Sequence, residues 1–173
     1  MPYSADELDE AFEHYWRTGA VGEDWDAWAD LFTEDCTYFE HYYGTMEGRE
    51  TVRAWIKPVM ARYPEIYTYY EWHVVDPARG RVTFYMQNRR DHPNGTDTFD
   101  FPGISILEYA GNGTWKREED FWAWKGRETA MAGWEAACKE LDPGFAQKAT
   151  RWHWPAAPQW ARGGRSYAER PRR

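Results

Sequence analysis

Four side chains in the sequence belong to types that transfer protons in enzymes: Asp120, Glu40, His73 and Tyr38. Asp120 is followed by two aromatic residues. Rings around a carboxyl group disfavour its charged form and raise its pKa towards the range that is useful for proton transfer near neutral pH. Free imidazole titrates in that range, which makes a histidine at position 73 a further candidate for proton transfer. These groups predict general acid–base chemistry, provided that they face one enclosed cavity.

Five further side chains are predicted to bind a substrate or to shape its cavity: Tyr15, Trp16, Asn88, Ser105 and Trp122. Because side chains alternate along a strand, Asn88 and Ser105 should point inward, where they can hydrogen-bond a carbonyl or hydroxyl group. The same alternation predicts that Lys116, Glu118 and Trp122 share a strand face with Asp120.

Several of these residues also have a purely structural interpretation. Asp120 fits a solvated carboxylate in an acidic strand equally well. Glu40 fits a salt bridge to Arg49, His73 a histidine satisfied within the fold, and Tyr15 a core residue of the first helix.

The elements that must position these residues follow from hydrophobic periodicity. It predicts helices over 4–18, 24–32, 49–63 and 127–141, with a kink or restart at Pro58 in the third. It predicts strands over 36–43, 66–75, 81–90, 98–110 and 114–124, with 44–48 as a loop and a bulge or bend at Pro102-Gly103. This order predicts an α+β fold in which helices cover the concave face of a strongly bent antiparallel sheet, leaving a cone that can hold a small molecule.

Both faces of that sheet are apolar. In the strand over 66–75, alternation places Tyr67, Tyr69, His73 and Val75 on one face and Ile66, Tyr70, Trp72 and Val74 on the other. Only one face can meet the helices, so we expect the convex face to form a homodimer.

Two segments resemble the nuclear transport factor 2-like superfamily, and within it the SnoaL-like proteins. They are the run DWDAWADLFTEDCTY over 24–38 and the stretch from Gly44 through Gly48-Arg49-Glu50 before a helix. The resemblance covers roughly residues 5 to 140. It implies the cone-shaped fold of that superfamily, which includes polyketide cyclases, ketosteroid isomerase, scytalone dehydratase, limonene epoxide hydrolase and non-catalytic members.

The resemblance also implies roles for single residues. Asp120 matches the acid/base aspartate of SnoaL-like cyclases and of limonene epoxide hydrolase. Glu40 lies where ketosteroid isomerase has its general-base aspartate, and Tyr38 matches a water-holding tyrosine of the hydrolase. Tyr15 resembles the donor tyrosine of the isomerase, and His73 a proton-handling histidine of scytalone dehydratase.

Three functions are compatible with this reading. The first is a cofactor-independent cyclase, isomerase or dehydratase acting on a small hydrophobic carbonyl- or hydroxyl-bearing molecule, such as a polyketide or steroid-like ring. The second is a non-catalytic, dimeric small-molecule-binding protein. The third is an epoxide hydrolase, for which Arg89-Arg90-Asp91 offers part of the triad, although an ungapped match places Met86 and Asn88 there instead.

Composition and charge limit the classes of partner that the protein is expected to bind. Aromatic residues make up 18% of the 173 residues, enough for a large core. Five arginines and one glutamate give residues 160–173 a charge of +4, which leaves −12 on residues 1–159 and argues against nucleic-acid binding. We expect no metal, cofactor or membrane partner, two reduced cysteines and a cytoplasmic location. Residues 1–143 are expected to form the domain, followed by a Trp/Pro/Arg-rich extension over 144–173.

Overall fold

A computed structural model describes residues 3–148. In chain order the elements are helix α1 (Ala5–Trp16), a π-helical turn (Arg17–Val21), α2 (Trp25–Asp30), β1 (Phe32–Glu40), β2 (Gly44–Glu47), α3 (Arg49–Arg62), β3 (Tyr67–Asp76), β4 (Arg81–Asp91), β5 (Thr98–Gly111), β6 (Thr114–Trp122), α4 (Trp124–Leu141) and α5 (Phe145–Lys148). Most of the extension expected over 144–173 lies outside the described residues.

The six strands form one curved sheet in the order β2-β1-β6-β5-β4-β3. The pair β1–β6 is parallel, and all other pairs are antiparallel. The short strand β2 occupies the segment expected to be a loop, because Gly44 has a φ of 93° that lets the chain reverse and pair with β1. This arrangement confirms the expected α+β fold.

The helices bury aromatic side chains against the concave face of the sheet. Helix α1 is capped by Ser4, whose hydroxyl accepts a hydrogen bond from the Glu7 backbone N–H at 3.0 Å. Phe12 from α1 and Trp28 from α2 join Phe84 and Trp115 from the sheet in the main core. Helix α3 continues through Pro58 as one helix, so the expected restart there is not observed.

Two irregularities change which residues face inward. In β3 the pairing with β4 shifts between Tyr70 and Trp72. Tyr70 therefore lies on the inner face with His73, whereas the expected alternation had separated them. Strand β6 shifts against β5 near Tyr109, so the inner position is taken by Trp115 and Lys116 is exposed.

Other features of the described chain bear on the earlier expectations. The register of β5 against β4 is continuous through Pro102 and Gly103, so the bulge considered there is not formed. Cys36 and Cys138 are buried free thiols. Within residues 3–148 no helix is both long and apolar enough to cross a membrane.

Candidate functional site

A cavity of about 180 Å³ lies between the concave face of the sheet and the helices. Half of the described residues that line it are aromatic. Its rim includes Tyr42, Tyr43 and Trp124, whose exposed fractions are 61%, 44% and 39%. Eight of the nine residues expected at the site line this cavity: Tyr15, Trp16, Tyr38, Glu40, Asn88, Ser105, Asp120 and Trp122.

Asp120 is 3% exposed and lies on the inner face of β6. Its Oδ2 accepts a hydrogen bond from the Tyr38 hydroxyl at 2.5 Å, and its Oδ1 accepts one from the Ser105 hydroxyl. Burial raises the pKa of Asp120 from 3.8 to about 6, although the hydroxyl donors partly oppose this rise by favouring the carboxylate. Asp120 therefore titrates close to neutral pH.

Glu118 is a second buried carboxyl beside Asp120, which we did not single out from the sequence. It is 1% exposed, and the Tyr15 hydroxyl donates to it with distances of 2.7 Å to Oε1 and 2.8 Å to Oε2. Burial, followed by the charge of Asp120, holds the pKa of Glu118 well above 4.5. The two carboxyls thus favour a state with one proton and one negative charge between them.

The two tyrosines that contact this pair remain hydroxyl donors. Burial and the neighbouring carboxyls raise the pKa of both Tyr15 and Tyr38 well above 10. Neither tyrosine is then a base near neutral pH. Each can hold the position of a carboxyl or share its hydrogen bond with a ligand oxygen.

Glu40 lies beside Asp120 across the parallel β1–β6 pair and is 2% exposed. Its Oε2 accepts backbone N–H groups from Tyr42 at 2.8 Å and Tyr43 at 2.5 Å. The salt bridge considered for Glu40 is not formed, because Arg49 instead approaches Glu34 and Glu50, both at 3.7 Å. Glu40 therefore both holds the backbone at the rim and forms part of the cavity wall.

The expected binding residues complete the wall. The amide of Asn88 donates to the Phe101 carbonyl oxygen at 3.4 Å. Trp122 lies over Gly103, where an added Cβ would approach its ring to 2.9 Å. A further lining residue, Trp55, keeps its Nε1 buried without a hydrogen-bond partner in the described chain. That donor is available to a ligand.

His73 is not brought to the cavity. Its Nε2 lies 2.6 Å from Asp9 Oδ1, its Nδ1 lies 2.8 Å from the Tyr70 hydroxyl, and its ring packs on Phe12 at 4.4 Å between centroids. The shift at Tyr70/Trp72 places these groups between α1 and β3. Proton exchange between His73 and Asp120 would need a contact that this arrangement does not provide.

The residues considered for epoxide hydrolysis also lie elsewhere. Arg89 pairs with Asp100 at 2.6 Å and Arg90 with Glu65 at 2.6 Å. Asp91 accepts the Tyr67 hydroxyl at 2.7 Å. Without a bulge in β4 at this point, none of the three lines the cavity.

The sequence carries a signal for Glu118, which alternation places on the strand face of Asp120, although Glu118 was not among the predicted site residues. Residues two apart in a strand share a face, so an inward Asp120 requires an inward Glu118.

No group of three or more His, Cys, Asp or Glu side chains in residues 3–148 is arranged to hold a metal ion.

The aromatic cavity and the cone-shaped α+β fold define a small-molecule-binding protein of the nuclear transport factor 2-like type. The chain belongs to the SnoaL-like domain family, whose model matches residues 10–118. The resemblance stated from the sequence is confirmed. Among curated proteins none matches the sequence.

Solved structures share the fold at low sequence identity. A protein from Jannaschia sp. CCS1 assigned as a SnoaL-like polyketide cyclase is 17% identical, with a TM-score of 0.58 over 74% of this chain and 93% of that one. An epoxide hydrolase of the limonene type from M. tuberculosis is 13% identical, with a TM-score of 0.62 over 78% and 96%. A protein with a ketosteroid isomerase-like fold from Catenulispora acidiphila, solved in complex with trimethylamine, is 21% identical, with a TM-score of 0.52 over 68% of this chain and 86% of that one.

Proposed function

We propose that this protein is a cofactor-independent acid–base enzyme acting on a small hydrophobic molecule that bears a carbonyl or hydroxyl group. The observation that carries the proposal is the buried pair of Glu118 and Asp120, with a tyrosine donor on each carboxyl, in the wall of an aromatic cavity. A cyclisation, an isomerisation or a dehydration each needs a proton taken from one atom and a proton given to another.

Because their environments differ, one carboxyl group is suited to accepting a proton and the other to donating one. Asp120, with a pKa of about 6, is mostly ionised near neutral pH and can accept a proton. Burial and the charge of Asp120 raise the pKa of Glu118 and favour its protonated form, so we assign Glu118 the role of donating a proton to a substrate oxygen. Tyr38 stabilises the Asp120 carboxylate, and Glu40 adds a second acceptor in the wall.

The size of the cavity limits the substrate. A cavity of about 150 Å³ holds a benzene molecule. The 180 Å³ found here therefore fits a compound of one substituted ring or two small rings. A four-ring polyketide or steroid would have to extend past the rim formed by Tyr42 and Trp124.

A kinetic test follows from these roles. One- and two-ring ketones are incubated with the protein in D₂O, and proton NMR measures exchange of the hydrogens beside the carbonyl. We expect Asp120→Asn to lower the exchange rate by about 100-fold or more, as loss of a general base does. Glu119→Gln is the matched control, because Glu119 is the next residue of β6 but pairs with His41 and Arg117 on the outer face.

Two results would contradict the proposal. One is that Asp120→Asn and Glu40→Gln both retain the wild-type exchange rate. The other is that the wild-type protein exchanges none of the ketones faster than buffer does. The second result favours the alternative function, a non-catalytic binding protein, which is consistent with the 13 aromatic rings in the cavity wall.

We also propose that the protein forms a homodimer through the convex face of the sheet, as predicted from the sequence. Trp72, Val74 and Phe121 on that face are 44%, 58% and 40% exposed. Apolar groups of this size in water are typical of an interface. Sedimentation should give a dimer mass for the wild type and a monomer mass for Trp72→Glu, and a monomeric wild type would refute this arrangement.

A further inference from the structure

The charges in the cavity wall are mostly negative. Of the described residues that line the cavity, three carry carboxyls, namely Glu40, Glu118 and Asp120, and one carries a positive charge, Arg127. Glu40 and Asp120 are at most 3% exposed, so water screens them little. Hydroxyl and backbone N–H donors hold these groups, but a neutral ligand would bring no opposite charge to them and an anion would be repelled by an ionised carboxylate.

Arg127 does not neutralise the interior, because it is engaged at the rim. Its guanidinium carbon lies 4.9 Å from the centroid of the Trp124 ring and 5.6 Å from that of Tyr63. It also donates a hydrogen bond to the Tyr63 hydroxyl at 3.2 Å. The protein thus already places one cation against the rings of this wall.

The remaining wall is suited to a second cation. Eleven of the lining side chains are tryptophan or tyrosine. The faces of these rings carry partial negative charge and attract alkylammonium groups, most strongly for tryptophan. Rings also replace the water that such a weakly hydrated cation loses, at a lower cost than for a primary ammonium.

We propose that the ligand of this cavity is a small organic cation, an alkylated ammonium, held between aromatic rings and the buried carboxylates Asp120 and Glu40. This inference rests on the proposed function in taking the cavity as the substrate site, and it adds the charge of the substrate. The buried Nε1 of Trp55, which has no partner in the described chain, gives a hydrogen bond to the hydroxyl or carbonyl of the same molecule. A trimethylammonium group with a short chain fits within 180 Å³.

Binding of such a cation should depend on pH through the ionisation of Asp120, which faces the cavity. The groups around Asp120 are Tyr38 and Glu40 from β1, Ser105 from β5, Glu118 from β6 and Tyr15 from α1. None of these neighbours carries a positive charge. Because the pKa of Asp120 is about 6, its ionised fraction at pH 5 is about one tenth of that at pH 8, so the affinity for a cation should rise about tenfold between them.

The test compares two probes of the same shape, choline and its uncharged carbon analogue 3,3-dimethylbutan-1-ol, by calorimetry with the full chain. We expect choline to bind about tenfold more tightly than the alcohol at pH 8, which is the scale of a desolvated cation–π contact. This preference should shrink at pH 5. Asp120→Asn should reduce it at pH 8, while Glu119→Gln, which removes a carboxylate outside the cavity, should not.

Equal binding of the two probes at pH 8, or a preference that does not change with pH, overturns the inference. The wild-type pH dependence is decisive even if Asp120→Asn fails to fold. Ketone exchange by the same sample separates the two proposals. Exchange without a preference for choline refutes only the charge of the substrate, whereas absence of both exchange and binding refutes the proposed function as well.

Discussion

The variant Asp120→Asn should gain unfolding free energy relative to the wild type as the pH rises from acidic to neutral. Burial raises the pKa of Asp120 from 3.8 to about 6, so the folded protein binds this proton more tightly than the unfolded chain does. The free energy of unfolding therefore falls as the pH rises from 3.8 to about 6, and it stays level above that. At about 1.4 kcal/mol per pH unit, the ionised carboxylate costs the folded state about 3 kcal/mol.

Asparagine carries no charge, so Asp120→Asn should lack this loss. The difference in unfolding free energy, variant minus wild type, should increase by about 2 kcal/mol from about pH 4.5 to about pH 7.5, since most of the titration falls between them. The amide nitrogen of asparagine cannot accept a hydrogen bond from Ser105 or Tyr38, and this loss lowers the stability of the variant by about 1 kcal/mol at both pH values. Because the loss is the same at both, it does not alter the expected increase of the difference with pH.

Urea unfolding followed by tryptophan fluorescence at the two pH values measures this difference. Glu119→Gln is again the control, because its carboxylate is paired with His41 and Arg117 outside the cavity. The reasoning is refuted if the difference for Asp120→Asn is independent of pH or decreases as the pH rises.

Three other substitutions test separate parts of the site. Tyr38→Phe removes a donor to the Asp120 carboxylate and should raise the pKa of Asp120 by about 1, seen as an upward shift of the carboxyl titration in NMR; an unchanged midpoint would contradict the hydrogen bond. Gly103→Ala brings a Cβ to 2.9 Å from the Trp122 ring and should lower the unfolding free energy by about 1–3 kcal/mol in a urea titration, whereas an unaltered midpoint would mean that the ring moves freely. His73→Gln should keep the rate of ketone exchange within about twofold of the wild type, because His73 lies outside the cavity. A drop of about 100-fold would mean that His73 takes part in catalysis.

The sequence sufficed for the fold because its periodicity and its turn glycines agree over most of the chain. The Gly111-Asn112-Gly113 turn, for example, joins β5 to β6, with Asn112 at a φ of 53° and both glycines at positive φ. Inward placement of Asn88 and Ser105 also followed from alternation alone, whereas that of Asp120 was implied by the family resemblance.

The position of His73, which the sequence did not predict, depends on how β3 aligns with β4. The shift between Tyr70 and Trp72 turns His73 towards α1, where Asp9 is within 2.6 Å. No local pattern in β3 marks where such a shift falls, because aromatic and β-branched residues occupy both faces. Glu118 was missed for another reason: in the charged run Lys116-Arg117-Glu118-Glu119 a glutamate is normally expected at the surface.

The parallel pairing of β1 with β6 has a consequence for how the site arises. Tyr15 and Glu118 are 103 residues apart in the chain, and Tyr38 and Asp120 are 82 residues apart. Contacts of such long range require large loops of the chain to close before they can form. Any fragment that ends before β6 lacks both acids, so the two carboxyls of the proposed site are present only once the chain extends through β6.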